Sequence, residues 1–291
     1  MYPLRLHLYC FFPRSIALRR QPGKASTVAA ANELARRTLR RLGLQRIGTL
    51  QRDYGEDDFD WLAYPALYRG ELNALEKTTT TRIEMGQVEF VDGELRLAAG
   101  VPPLHPNHRL LYETIGLLAP SSVLEAGCGG GDHLRNLSVL YPELELHGVD
   151  RASGQLALLK ERNEDIAGRV LEVDLTLPVP GHLARVDVAF TQAVLMHIQT
   201  GNGHRVALAN LFTIASAQVV LMENWLRHDF WSDVQKLHTS RVIGWPKIHA
   251  YIRRAPELHD QPHLLVLSSV PLDLEPLRDY ETLVGPLRSR P

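Results

Sequence analysis

At one place in this chain of 291 residues an apolar run ends on an acid and passes directly into glycine. Ser121-Ser122-Val123-Leu124-Glu125-Ala126-Gly127-Cys128-Gly129-Gly130-Gly131-Asp132 holds four glycines within five positions, and a helical pattern from His133 to Leu140 follows. The segment reads as a buried strand that closes in a turn too tight for side chains and opens at once into a helix. Glycine suits such a turn because it tolerates positive φ and leaves bare backbone for a ligand. The spacing is GxGxG. The third glycine of a dinucleotide GxGxxG falls on Asp132, which argues against a nicotinamide cofactor.

Four further apolar runs follow in order. Leu144 to Asp150 reads as a strand ending in an acid about 20 residues past the loop, where doubly wound folds use a carboxylate to hold a ribose. Arg169 to Asp174 is again closed by an acid. Val186 to Ala193 is followed by Val194-Leu195-Met196-His197-Ile198, and Ala217 to Glu223 comes last. Each strand end points to the edge where an open parallel sheet binds ligand. An isolated strand-terminal acid is more often a helix cap; it is the order of Asp150 and Asp174 after the glycine loop that favours ligand contact.

These residues resemble motif I and the succeeding elements of class I S-adenosylmethionine-dependent methyltransferases, over roughly residues 106 to 270. The resemblance implies an α/β, Rossmann-like fold: a doubly wound, mostly parallel, seven-stranded sheet with an N-terminal accessory region. Its last two strands are expected at Ile248–Arg253 and His263–Val270, the latter antiparallel. It also implies S-adenosylmethionine as cofactor, held by Glu125, Ala126, Gly127, Cys128, Gly129 and Gly131. Asp150 is expected at the ribose and Asp174 at the adenine amine, and Arg151, Leu175, Gln192 and Ala193 complete the set. Pro106 to Glu113, Ala193 to Ile198 and Glu223-Asn224-Trp225 look like bacterial methyltransferases of surface-sugar and polysaccharide pathways. The fold alone does not choose an acceptor.

Composition bounds the rest. A hydrophobic fraction of 45% and a charged fraction of 22% are those of a soluble globular protein. No apolar run approaches the roughly 18 residues of a membrane span. Cys10 and Cys128 are the only cysteines, which fits a reducing, cytoplasmic setting; Cys128 reads as a small filler of the loop. Eleven Lys or Arg and one acid, Glu33, fall within residues 1–52. The acidic remainder lacks the basic excess that grips a phosphate backbone, so no nucleic-acid partner is expected.

Three regions emerge. Residues 1–52 form a basic segment with a helix from Ser26, which either packs over the main domain or touches an anionic membrane surface. Residues 53–105 form an accessory cap with aromatic Trp61, Tyr64 and Tyr68. Short strands are expected there at Thr78–Met85 and Gln87–Val91, with an Asp92-Gly93 turn and a return strand at Glu94–Leu97. Residues 106–291 form the cofactor-binding domain, opened by Asn107 and a helix from Leu110 to Leu118.

Methyl transfer from a sulfonium is an in-line displacement, so alignment of nucleophile, methyl carbon and sulfur dominates. A neutral hydroxyl acceptor also needs a base. His197, after the fourth strand, and His228, after the fifth, are the catalytic candidates, with Asp229 or Glu223 to orient the imidazole. Both also suit plainer roles, His197 packed at a helix start and His228 on a surface loop. No metal is expected, because the 13 histidines include no HExxH or His-x-His arrangement. The acceptor is expected to be a small molecule or glycan. A non-catalytic S-adenosylmethionine-binding subunit and an NAD-dependent oxidoreductase are the competing functions.

Overall fold

In the computed structural model, residues 82–199, 201–255 and 262–288 are described, with backbone alone at 262, 263 and 285–288. The expected basic helix, the aromatic cluster at Trp61, Tyr64 and Tyr68, and the first half of the Thr78–Met85 strand lie outside these residues. Residues 82–85 form no strand; instead the Ile83 amide donates to Asn136 Oδ1 at 2.9 Å. A side chain takes the hydrogen bond that a neighbouring strand would have used.

The hairpin is present. β1 (Val88–Val91) pairs antiparallel with β2 (Glu94–Leu97), and the two turn residues Asp92 and Gly93 both adopt positive φ, 54° and 81°. That is the conformation a two-residue turn needs to match strand twist. Leu95 is buried, and its amide donates to Glu113 of the first helix, α1 (Pro106–Leu118). Pro106 starts α1 a little ahead of the expected Asn107, with the His105 ring accepting from the Asn107 amide. Proline is preset for that first turn and has no amide to leave unpaired.

The main sheet contains the seven expected strands. β3 (Ser122–Ala126), β4 (Glu145–Asp150), β5 (Val170–Glu172), β6 (Val186–Gln192) and β7 (Ala215–Met222) are mutually parallel. β8 (His249–Arg254) and β9 (Pro262–Ser268) follow, with β9 antiparallel to both β7 and β8. A two-residue strand, β10 (Glu275–Pro276), adds an eighth member at the edge. The order across the sheet is β5-β4-β3-β6-β7-β9-β8-β10.

Both faces of the sheet are covered, which is why the strand runs are apolar rather than alternating. Leu124, Val219, Leu221, Leu265 and Leu267 enter one core with α4 (Gly203–Ile214) and α5 (Phe230–Thr239). Val123, Leu146, Val188, Phe190, Val220 and Val266 enter the other with α1, α2 (Asp132–Leu140) and α3 (Ser153–Arg162). A last helix, α6 (Glu281–Arg288), closes the described chain. The connections from β3 and from β6 leave on opposite faces, so a crevice opens between these neighbours at their carboxyl ends. Among the described residues no helix is long and apolar enough to cross a membrane.

Candidate active site

The glycine loop starts from the end of β3. The amides of Gly127 and Cys128 both donate to the Val149 carbonyl, at 2.7 and 3.0 Å. Gly127, Gly129 and Gly131 take φ of 79°, 48° and 80°, and each has a different neighbour. A Cβ on Gly127 would lie 2.4 Å from Val194 Cγ2, and one on Gly131 would lie 2.6 Å from Leu159 Cγ. A Cβ on Gly129 would meet nothing nearer than Gln155 Oε1, at 3.9 Å. Two glycines therefore admit close packing and the third borders open space. Cys128 is buried, its thiol driven upward in pKa chiefly by burial, and Gly148 leaves room for its sulfur. A filler role follows from that environment.

Asp150, the last residue of β4, accepts from the Gly129 amide through Oδ2 at 2.9 Å and from the Ala152 amide through Oδ1 at 2.8 Å. It thus fixes the loop from behind while staying partly exposed. Burial raises its pKa, and these two amides oppose the rise. Asp174 lies two residues beyond β5, which ends at Glu172 rather than running to the acid. Its Oδ1 accepts from the amide and hydroxyl of Thr176, at 2.8 and 2.6 Å. This local Asx turn competes with the ladder and stops the strand early. Arg151 is partly exposed, whereas Ala126 and Leu175 are buried in the core beneath the crevice.

Glu125 is buried in β3, with its pKa well raised, first by burial and then by Asp132 and Asp150. Its Oε2 has no partner. Gln155, a residue no sequence motif marked, is likewise buried with an unpartnered Oε1 beside Gly129. Glu125, Asp150 and Gln155 therefore gather around the glycine loop, with Asp174 beyond the neighbouring strand. A ligand that is cationic and rich in hydroxyl and amine donors suits this set. S-adenosylmethionine has that chemistry, and it supplies an electrophilic methyl group on sulfur.

The turn after β6 closes the other side. Ala193 has φ 53° and donates to the Met222 carbonyl, Gln192 is partly exposed, and a 3₁₀ turn covers Leu195–His197. Glu223 holds this turn. Its Oε1 accepts from Thr191 Oγ1 at 2.7 Å, Val194 N at 3.1 Å and Leu195 N at 3.2 Å, and its Oε2 accepts from Met196 N at 3.0 Å. Burial raises the Glu223 pKa, against these four donors. The expectation that Glu223 or Asp229 orients a histidine is corrected here. Glu223 is committed to the turn, and Asp229 caps α5 through the Ser232 amide.

His197 ends the 3₁₀ turn, half-buried, with its pKa lowered by burial and then by Arg227. His228 is not a free surface-loop histidine. Its ring stacks on His204 with centroids 3.9 Å apart and planes 9° apart, and Tyr280 donates to its carbonyl. Burial and His204 bring its pKa down to about 4, while a hydrogen bond to the Ile198 backbone works the other way. That bond joins the segments after β6 and β7. Among the described residues no group of three His, Cys, Asp or Glu is placed to hold a metal ion. Shallow depressions on α5, at Ser232, Gln235 and Lys236, and at the amino end of β4 lie away from this chemistry.

Residues 123–234 match the model of a family described as a methyltransferase domain. Over 85 residues the chain is 33% identical to a trans-aconitate 2-methyltransferase of Methylobacterium nodulans, covering 29% of this chain and 31% of that protein. The chain thus spans less than a third of the length of this curated relative. Among solved structures, a TehB-like SAM-dependent methyltransferase from Corynebacterium glutamicum aligns at 17% identity over 74% of this chain and 99% of its own, with a TM-score of 0.46. SAM-bound CalS10, an amino pentose methyltransferase from Micromonospora echinaspora, aligns at 18% identity over 60% of each chain, with a TM-score of 0.38. The family match lies on the strand–glycine–helix unit and runs through both histidine-bearing segments. Over residues 123–234 the chain is therefore similar to a methyltransferase domain, and the family it matches there uses S-adenosylmethionine.

Proposed function

We propose that this protein transfers the methyl group of S-adenosylmethionine to an oxygen of a small molecule or sugar, with His197 as the base. The observation that supports this reading is the neutrality of His197 on a turn that touches the glycine loop through Val194. A lowered pKa keeps the imidazole unprotonated at neutral pH, where a hydroxyl acceptor must lose its proton as the methyl moves across. In this reading Glu125, Gly127, Gly129, Gly131, Asp150 and Asp174 hold the cofactor, and residues 53–105 contribute to the acceptor wall. The setting is cytoplasmic without nucleic acid, and the basic segment 1–52 is available to an anionic membrane surface.

A second reading is favoured by the 85-residue likeness to a trans-aconitate 2-methyltransferase. A carboxylate acceptor is already ionised and needs no base. An acceptor screen with labelled methyl donor separates these readings. With a hydroxyl acceptor, His197→Ala lowers the chemical step by roughly 10²–10⁴-fold and leaves affinity for S-adenosylhomocysteine intact. Unchanged turnover in that variant removes the base. Binding of S-adenosylhomocysteine with no turnover on any acceptor points to a non-catalytic binding subunit.

A further inference from the structure

We propose that Asn136 and Tyr112 are positioning residues that lock His133 as its Nε2–H tautomer, making it a fixed hydrogen-bond donor at the glycine loop and barring it from acting as a base. Each step follows from what its partners are able to do. The Ile83 backbone amide can only donate, so the Asn136 atom 2.9 Å away is its oxygen, Oδ1. The amide nitrogen of Asn136 then faces the Tyr112 hydroxyl at 3.0 Å, and it can only donate. Having accepted from Asn136, the buried hydroxyl pairs its own hydrogen by donating to its other partner, His133 Nδ1, at 2.9 Å, since accepting there as well would leave that hydrogen unsatisfied. A nitrogen that accepts carries no proton, so in the neutral ring the proton sits on Nε2.

The relay is built to hold that state. Tyr112 is fully buried and Asn136 is 1% exposed, so a hydroxyl hydrogen displaced by a protonated Nδ1 finds no water. The ring of His133 stays neutral, its pKa brought down by burial to about 4. His133 is the partly exposed member of the three, in the first turn of α2 and two residues after Gly131. It lies against Phe190 of β6, with ring centroids 6.4 Å apart, which puts it on the β3–β6 side where the crevice opens. His108 meets the same ring edge-to-face at 4.7 Å.

The consequence for catalysis rests on the methyl-transfer reading. Of the imidazoles around the loop, His133 offers an N–H and no proton-accepting lone pair. A ligand group facing it is an oxygen acceptor, and a hydroxyl proton must leave through another imidazole such as His197.

The lock is read directly from the ¹⁵N resonances of His133 in the whole protein, without and with S-adenosylhomocysteine. The expected pattern is a protonated Nε2 and an unprotonated Nδ1 that persist from neutral pH down to about 5. Asn136→Asp reverses the relay: a carboxylate accepts from both Ile83 and Tyr112, so Tyr112 must accept from Nδ1–H and the two nitrogen signatures exchange. If that variant does not fold, Tyr112→Phe is expected to move both nitrogens toward the average of the two tautomers. A wild-type Nδ1–H, ordinary titration near pH 6.5, or a wild-type pattern surviving in either variant overturns the proposal. Failure of S-adenosylhomocysteine to bind counts against the methyl-transfer reading alone, since the tautomer is read in the ligand-free protein too.

Discussion

The two walls of the crevice are built on opposite principles. The glycine loop takes its path from its own residues, three glycines at positive φ between the end of β3 and the start of α2, with Val149 and Asp150 of β4 bracing it. The turn after β6 has no such local code. Ala193 to His197 is held by a carboxylate about thirty positions downstream, at the end of β7, with the backbone of Ile198 tied to His228. A loop made by residue type survives loss of a distant partner. A turn made by a partner does not.

The comparison is broken most sharply at Glu223. Replacing it by Ala strands the buried hydroxyl of Thr191 and amide of Leu195, and the half-buried amides of Val194 and Met196. The expected loss is about 3 kcal/mol or more, the scale of two or three unsatisfied buried donors. It should appear as a lower urea midpoint and as faster exchange of those three amides. A loss under about 1 kcal/mol would mean that water or a shift of the turn replaces the carboxylate, and the contrast between the walls would fail.

Within the glycine wall the three positions should separate. Gly131→Ala combines a left-handed φ with a Cβ driven against Leu159, and costs about 2–4 kcal/mol. Gly129→Ala meets nothing nearer than 3.9 Å, so the backbone term of about 1–2 kcal/mol stands alone. Thermal unfolding of the two variants checks the order. Equal losses would mean that conformation alone, not the packing of α3, selects glycine at 131.

The most gradual effect concerns acid. His133, on the glycine side, and His228, on the β7 side, both have folded pKa values of about 4, below the ordinary 6.5. The unfolded chain therefore binds more protons than the folded one between these limits, and stability falls as pH drops from about 6.5 toward 4. It is fully present above that window. A melting-temperature profile should slope across it, and His228→Gln should flatten part of the slope. A flat wild-type profile would show that neither ring is held neutral.

The sheet and its cofactor edge were legible because their signals are local. Apolar runs bounded by glycines and acids located β3 to β7, and β8 and β9 formed near Ile248 and His263 with β9 antiparallel. The acid after β5 was found, but the strand stops at Glu172 because Asp174 and Thr176 make a turn of their own. Gln155 escaped notice because a single glutamine in a helix has no spacing to betray it, and its orphaned oxygen exists only once α3 lies beside Gly129.

By itself the sequence determined an α/β domain with a glycine loop, two acids beyond it and a histidine after β6, because periodicity and glycine placement act over a few residues. What those side chains do was decided by packing. Glu223 became the clasp of a turn instead of a partner for histidine, and His228 was stacked on His204. His133 acquired a defined tautomer from a backbone amide fifty positions away. Hydrogen-bond direction depends on which donor faces which acceptor across elements distant in sequence, and the chain acquires those pairings only when the sheet and its helices close.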